Sequence, residues 1–353
     1  MISDDAAPLV TTIIPTFRRP ALLRRAVLSA LDQSMRRVRV SVYDNASGDG
    51  TAAVLAELAR ADPRVQYHSH ATNIGVIPNF NHGLARVATP FFSVLSDDDV
   101  LLPRFYEKAL EVLARRPEAV FVAGQVIEMT DEGRVVKVLP ELETPEVSVA
   151  PPEGLFKMHP TLTGMLFRAS VAREYAPFDT GIELLDVDFY LRLAARHPFV
   201  LVGQAFGIFV SHGESFSHQM DIGQTWRAYR QVIDRFEADA SVPAAVRAAA
   251  AHRMRHTLQG AVFRLGLRAV ARGSFASADE ARRILGEQER QAARAAVLRS
   301  LTALARRSSA VRRAWSATYT SLRAAGHARS SRRLQRRYAE YARHLEIPPS
   351  AAT

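Results

Sequence analysis

The chain has 353 residues, 48% apolar and 23% charged, enough for one large or two ordinary globular domains and too apolar for disorder to be the default. It has no cysteine, which excludes a disulfide framework and any thiolate metal site and suits a reducing cytoplasm. Asp4 and Asp5 precede any apolar run, unlike a secretory leader, and the longest apolar stretch, near Phe199–Val210, is too short to cross a bilayer, so a soluble, cytoplasmic chain is expected.

Apolar, β-branched runs at Leu9–Ile14, Val38–Tyr43, Val65–Tyr67 and Phe91–Leu95 alternate with helical patterns at about Ala21–Asp32, Thr51–Ala61 and Pro78–Arg86. This alternation predicts an α/β, doubly wound, mostly parallel sheet with helices on both faces. A helix over Pro103–Arg115, a strand near Ala119–Ile127, a Pro- and Glu-rich loop around Leu139–Glu153, a strand at Leu162–Arg168 and an amphipathic helix at Asp186–Arg196 extend it. Beyond Ile222 strand signals stop. Three Ala/Arg-rich helices are predicted at Pro243–Arg272, Ser277–Arg307 and Ala310–Leu345, the second opened by a capping box at Ser277–Glu280. Met254, Leu258 and Val262, like Trp315 and Tyr319, recur at four-residue spacing and should form buried stripes.

Charge divides along the same line. From Ser241 onward there are 22 Arg, no Lys and 6 acidic residues, a net of +16; against the total of +10 this leaves −6 for residues 1–240. Two parts are expected, an α/β domain over residues 1–221 and a basic, all-α C-terminal region over residues 222–353.

Ligands of open α/β sheets bind beyond the carboxyl ends of the strands. Those ends read Pro15-Thr16-Phe17-Arg18-Arg19-Pro20, Asp44-Asn45-Ala46-Ser47-Gly48-Asp49-Gly50-Thr51, Asn73-Ile74-Gly75 and Ser96-Asp97-Asp98-Asp99. Each alone is an ordinary turn signal. Four on one rim point to a site. Three adjacent carboxylates repel one another unless a cation or solvent screens them. Such oxygen-rich sites suit Mg2+ or Mn2+, completed by substrate phosphates. The competing reading is a solvated acidic turn capping the helix that starts at Pro103.

In order and spacing, these segments resemble the family 2 inverting glycosyltransferases, which have the GT-A fold. The resemblance covers roughly residues 8–220. It is carried by Ile13-Ile14-Pro15-Thr16-Phe17; by Asp44, Asn45, Ser47, Asp49 and Thr51; by Asn73/Gly75 and Asn81/Gly83; by Asp97-Asp98-Asp99 before Leu101-Leu102-Pro103; by Thr163-Gly164-Met165-Leu166-Phe167-Arg168; and by Asp186-Val187-Asp188 before Arg192. It implies a catalytic domain over residues 1–221 that takes a nucleoside-diphosphate-sugar donor, UDP- or dTDP-linked. The acceptor would be a hydroxyl of a glycan or lipid-linked glycan. Pro15, Thr16 and Phe17 would border the nucleoside, Asp44 would accept from the base N–H, Asn73 and Asn81 would belong to the donor pocket, and Asp97 would lie toward the ribose. Asp98, at the family's main metal position, would bind the ion with Asp99 and the loop residue His212. A literal D-x-D reading would instead pair Asp97 with Asp99. Asp186 would be the general base. Leu185 stands where the family commonly has Glu, with Glu183 nearby. Asp188 reads as an ion-pair partner of Arg192.

Arg312-Arg313, Arg332-Arg333 and Arg336-Arg337 suggest an anionic partner. Packing on the acidic domain or in a homo-oligomer ranks first, peripheral contact with an anionic membrane near a lipid-linked acceptor second, and nucleic acid a distant third. Two other functions compete with transfer. A non-catalytic sugar-nucleotide binder or assembly scaffold is motivated by Leu185 and the tail. A nucleotidyltransferase would want a Gly-rich loop after the first strand, and Thr16–Pro20 has no Gly.

Overall fold

Strand β1 (Val10–Thr16) is rich in β-branched residues and almost wholly buried, the pattern of a parallel strand covered on both faces. In the computed structural model, which describes residues 7–142, 146–149, 161–212 and 220–346, β1 pairs in parallel with β2 (Val38–Asp44) and β4 (Phe91–Val94). Strand β3 (Val65–Ser69) adds to the outer side of β2. The crossovers are α1 (Pro20–Leu31), α2 (Thr51–Ala61) and α3 (Val76–Leu84). Helix α1 opens on Pro20, where a missing N–H costs nothing. Helix α3 lies so close to the sheet that a Cβ on Gly83 would sit 2.6 Å from Ile13 Cγ2 and 2.8 Å from the Tyr43 ring.

The chain continues through β5 (Val100–Leu101), α4 (Phe105–Arg115), β6 (Phe121–Thr130), β7 (Val135–Leu139), β8 (Glu146–Val149), β9 (Met165–Arg168), α5 (Leu185–Ala194) and β10 (Phe199–Ser211). Among the described residues these strands make one ten-stranded sheet of order β3-β2-β1-β4-β9-β6-β10-β5, with β7 on β6 and β8 on β10. Strand β10 runs parallel to β6, whereas β5, β7, β8 and β9 pair antiparallel. The expected mostly parallel α/β sheet is present. Growth proceeds outward from β1 to β3 and resumes at β4 on the other side of β1, so a topological switch point lies between β1 and β4. Strands β1 and β3 run two residues beyond their apolar cores because pairing persists to Thr16↔Asp44 and Asp44↔Ser69. Strand β8 lies inside the loop expected over Leu139–Glu153, of which residues 143–145 and 150–153 are outside the described residues.

The chain divides into two units, one of Met1–Gly181, Leu185–His212 and Leu334–Thr353, the other of Ile182–Leu184 and Gly213–Arg333. In the second unit, α6 (Ile222–Ala238) begins at a capping box: the Asp221 carboxylate accepts from the Gln224 N–H and the Gln224 side chain returns to the Asp221 N–H. Helices α7 (Ala244–Arg272), α8 (Phe275–Arg283), α9 (Ala292–Arg307) and α10 (Ser309–Tyr338) follow. Met254, Leu258 and Val262 are buried as their spacing requires, whereas Trp315 and Tyr319, whose rings meet at 6.1 Å, are only half-buried. The capping box expected at Ser277 is absent. Helix α8 starts at Phe275, which leaves Ser277 inside it. The single helix expected over Ser277–Arg307 is broken by a π-helical turn, Ile284–Gln288. Just beyond that turn the buried Glu289 accepts from Trp226 Nε1 at 2.8 Å and Gln259 Nε2 at 3.2 Å.

The last turn of α10 and the 3-10 turns Ala339–Leu345 belong to the first unit. Leu334, Tyr338 and Leu345 pack with Val100, Leu102, Ile127, Met129 and Ile208, and the Tyr338 hydroxyl donates to buried Gln125 at 3.0 Å. No helix of the described residues is long and apolar enough to cross a membrane.

Candidate functional site

The carboxyl ends of β1 and β4 meet across the switch point through one side-chain bond. Thr16 Oγ1, on the last residue of β1, donates to Asp97 Oδ2 at 2.7 Å. Arg19, just beyond β1, sends Nη1 to Asp97 Oδ1 at 3.2 Å and Asp98 Oδ2 at 2.7 Å. His212 follows β10 directly, and its Nε2 stands 3.0 Å from the same Asp98 oxygen. Thr16, Asp97, Asp98, His212 and Arg19 therefore form one connected group.

The three carboxylates are not equivalent. Asp99 is buried, with Oδ1 accepting the Val210 N–H at 3.0 Å and Oδ2 accepting from the Thr163 hydroxyl. It pins the strand end two residues before His212. Burial, then the Asp98 charge, holds its carboxyl well above the usual range. Asp97 is pushed up to about 6, first by burial and then by Asp98, with Thr16 and Arg19 opposing. Asp98 is the most accessible, its side chain 14% exposed against 8% for Asp97. Its backbone carbonyl accepts from buried Arg25 Nη2 at 2.6 Å, while Arg25 Nη1 reaches the Leu345 carbonyl at 3.2 Å. The triad is not a helix cap. Helix α4 starts at Phe105, whose N–H goes to Gln33 Oε1 at 3.0 Å. Asp98, the most accessible of the three carboxylates, and the His212 ring beside it are a donor set that suits a divalent cation.

On the β2 side, Asp44 ends the strand and its Oδ1 accepts the Ser47 N–H at 3.1 Å and the Ser47 hydroxyl. Ser47 Oγ in turn accepts the Arg18 N–H at 2.8 Å, linking the turns after β1 and β2. Arg18 and Ala46 in those turns have left-handed backbone (φ 57° and 59°), strain that non-glycine residues carry only where surroundings impose it. Asn45 donates to Asn73 Oδ1 at 2.9 Å, and Asn73 also accepts the Gly75 N–H, so Asn73 shapes the turn after β3. Half-buried Pro15 precedes Thr16, and Phe17 is 37% exposed with the Arg18 guanidinium over its ring.

Asn81 and Asp186 make no direct bond to the acidic group among the described residues. Asn81 clamps the Phe178 backbone through both amide atoms, at 2.8 and 2.7 Å. Asp186 sits in the first turn of α5 with Oδ1 accepting the Val187 N–H at 2.8 Å, and burial pushes its carboxyl above the usual range. Helix α5 leads through four residues into the start of β10, the strand that His212 follows. Asp188 pairs with Arg192 at 2.9 Å, as its spacing suggested. Gly213, Glu214 and Ser215 of the His212 loop lie outside the described residues. Arg19, Arg25 and Ser47 were not singled out as site residues by sequence. The three adjacent carboxylates called for screening by a cation or by solvent, and nothing in the chain pointed to an Arg that would face them.

Residues 11–175 match the model of a family described as Glycosyl transferase family 2. Over 96 residues the chain is 34% identical to a GalNAc(5)-diNAcBac-PP-undecaprenol beta-1,3-glucosyltransferase of Campylobacter jejuni; the match spans 27% of this chain and only 31% of that relative's length. The fold is shared with S. aureus TarS 1-349 in complex with UDP-GlcNAc, at a TM-score of 0.60 and 16% identity over 90% of this chain and 92% of that one. It is also shared with a mannosyltransferase of Pyrobaculum calidifontis in complex with GDP-Man and Mn2+, at 0.52 and 17% over 92% and 87%.

Proposed function

Residues 11–175 belong to glycosyl transferase family 2, and from that premise we propose that the chain moves a sugar from a UDP- or dTDP-linked donor to a hydroxyl of a glycan or lipid-linked glycan, with inversion. The observation that carries this reading is the Asp98–His212 pair at 3.0 Å, beside the Thr16–Asp97 bridge at the switch point. TarS is complexed with a UDP-sugar and the Pyrobaculum enzyme with a GDP-sugar and Mn2+, and the Campylobacter relative is named for a lipid-linked acceptor.

Asp98 and His212 are the residues that would hold Mg2+ or Mn2+, which would offset charge on the departing nucleoside diphosphate. Asp99 acts through position: its bond to the Val210 N–H fixes where His212 emerges. Asp44 takes the base N–H on the oxygen that Ser47 does not engage, and Asp97 faces the ribose. Asp186 accepts the acceptor hydroxyl's proton as that oxygen bonds to the anomeric carbon and the bond to the diphosphate oxygen breaks. Burial raises its pKa, which makes its carboxylate a stronger base.

The test is product formation from UDP- and dTDP-sugars by wild type and Asp186→Asn, with nucleotide affinity measured in parallel. Transfer should fall by at least ~100-fold, the lower range for general-base loss, with affinity within about twofold. Equal turnover removes Asp186 from the mechanism. Donor binding without turnover in wild type favours the binder reading that Leu185 motivates.

A further inference from the structure

Three imidazoles outside the acidic site converge where β3 meets α3. His68 lies on β3, His70 immediately after it at i+2 on the same face, and His82 on α3. Their ring centroids are 4.5 to 4.8 Å apart, and one ligand-capable atom from each lies within 4.8 Å of the others. Proximity alone would be ordinary ring packing. Two further observations point to a ligand.

First, His82 Nε2 is buried and has no hydrogen-bond partner among the described residues. A buried ring nitrogen left unpaired is destabilising, and coordination to an ion would satisfy it. Second, the tautomer of His70 is set by its neighbours. Asn79 donates Nδ2 to the Tyr43 carbonyl at 2.8 Å, which turns its Oδ1 toward His70 Nε2 at 3.0 Å. Nε2 must then carry the proton, leaving the Nδ1 lone pair available. An imidazole whose far nitrogen donates to a fixed carbonyl is how metal-binding histidines are held.

We propose that His68, His70 and His82 form a site for a late first-row divalent ion, Zn2+ foremost, with its fourth position open to solvent. Three neutral imidazoles select Zn2+, Co2+ or Ni2+ over Mg2+ and Mn2+, so this site differs in chemistry from the carboxylate group at Asp98. Tetrahedral Zn–N bonds of about 2.0–2.1 Å put the nitrogens about 3.4 Å apart, so the rings must close by about 1.4 Å at most, within reach of side-chain rotation at exposed His68. Burial, then Arg86, then the other two rings hold His82 down to about 4, so it is neutral at pH 7. The ion would tie the sheet's edge strand to α3 beside Asp44, whose carbonyl accepts the His70 N–H at 2.9 Å.

Full-length protein stripped with chelator is titrated with Zn2+ by calorimetry and with Co2+ by visible absorption, in an Asp98→Asn/His212→Ala background that removes the acidic site's donors. One ion is expected to bind, with tetrahedral or five-coordinate Co2+ bands and a raised melting temperature. His68→Ala should weaken Zn2+ binding at least 10-fold, and His82→Gln likewise. His68 is exposed, so its variant tests the site even if the His82 variant fails to fold. Zn2+ affinity unchanged by His68→Ala, or no Zn2+ binding at 100-fold molar excess, overturns the proposal.

Discussion

Replacing Asp97 by Asn should make the metal-free protein more stable at neutral pH, because a carboxylate buried beside Asp98 resists ionisation. Its pKa is raised from 3.8 to about 6, first by burial and then by the Asp98 charge. A group whose folded pKa is raised contributes its full stability below the unfolded value and loses it as pH climbs through the folded value. At about 1.4 kcal/mol per unit, ionising Asp97 costs the fold about 3 kcal/mol above pH 6. Asn keeps one acceptor for Thr16 or Arg19 and loses the other, which returns about 1 kcal/mol. The variant should therefore be more stable by about 2 kcal/mol at pH 8 and equal or weaker at pH 4. Urea unfolding in chelator, repeated from pH 4 to 8, measures both curves. Parallel profiles for wild type and variant would refute the reasoning, since they would mean that Asp97 binds no extra proton in the folded state.

Gly83→Ala should destabilise the first unit by about 1–3 kcal/mol, read by urea denaturation, since the new methyl meets Ile13 and Tyr43 within 2.9 Å. Tyr338→Ala should cost about 3–5 kcal/mol through lost core volume, and Tyr338→Phe about 1 kcal/mol through the lost Gln125 bond; equal effects would mean that the C-terminal turns do not pack as described. Thr163→Val leaves Asp99 with one donor fewer in a buried site, and a loss of about 1–3 kcal/mol is expected in urea unfolding. Trp226→Phe removes the indole donor to Glu289 and should cost about 1–2 kcal/mol in the thermal unfolding of the helical unit.

The sheet was legible because Val10–Thr16, Val38–Asp44 and Phe91–Val94 announce themselves by composition, and their polar ends by position. The inequality of Asp97, Asp98 and Asp99 was not legible. It arises from Thr16, Thr163 and the Val210 N–H, partners 81, 64 and 111 residues away along the chain. Arg25 was hidden for the same reason, being an amphipathic-helix arginine until the Asp98 and Leu345 carbonyls are brought to it. The His68–His70–His82 group needs β3 and α3 to touch, which no local pattern encodes. The return of Leu334–Leu345 to the first unit was masked by an Arg-rich helical pattern that reads as unbroken. At Ser277 a locally valid capping signal lost to a helix already begun at Phe275.

The most direct check is calorimetric titration of UDP and dTDP into wild type and Asp98→Asn, each with Mn2+ and with chelator. At least one nucleotide should bind wild type tenfold or more tightly with the ion than without, and Asp98→Asn should abolish that difference. Nucleotide binding that ignores both the ion and the substitution, or no binding of either nucleotide, would contradict a donor site built on Asp98.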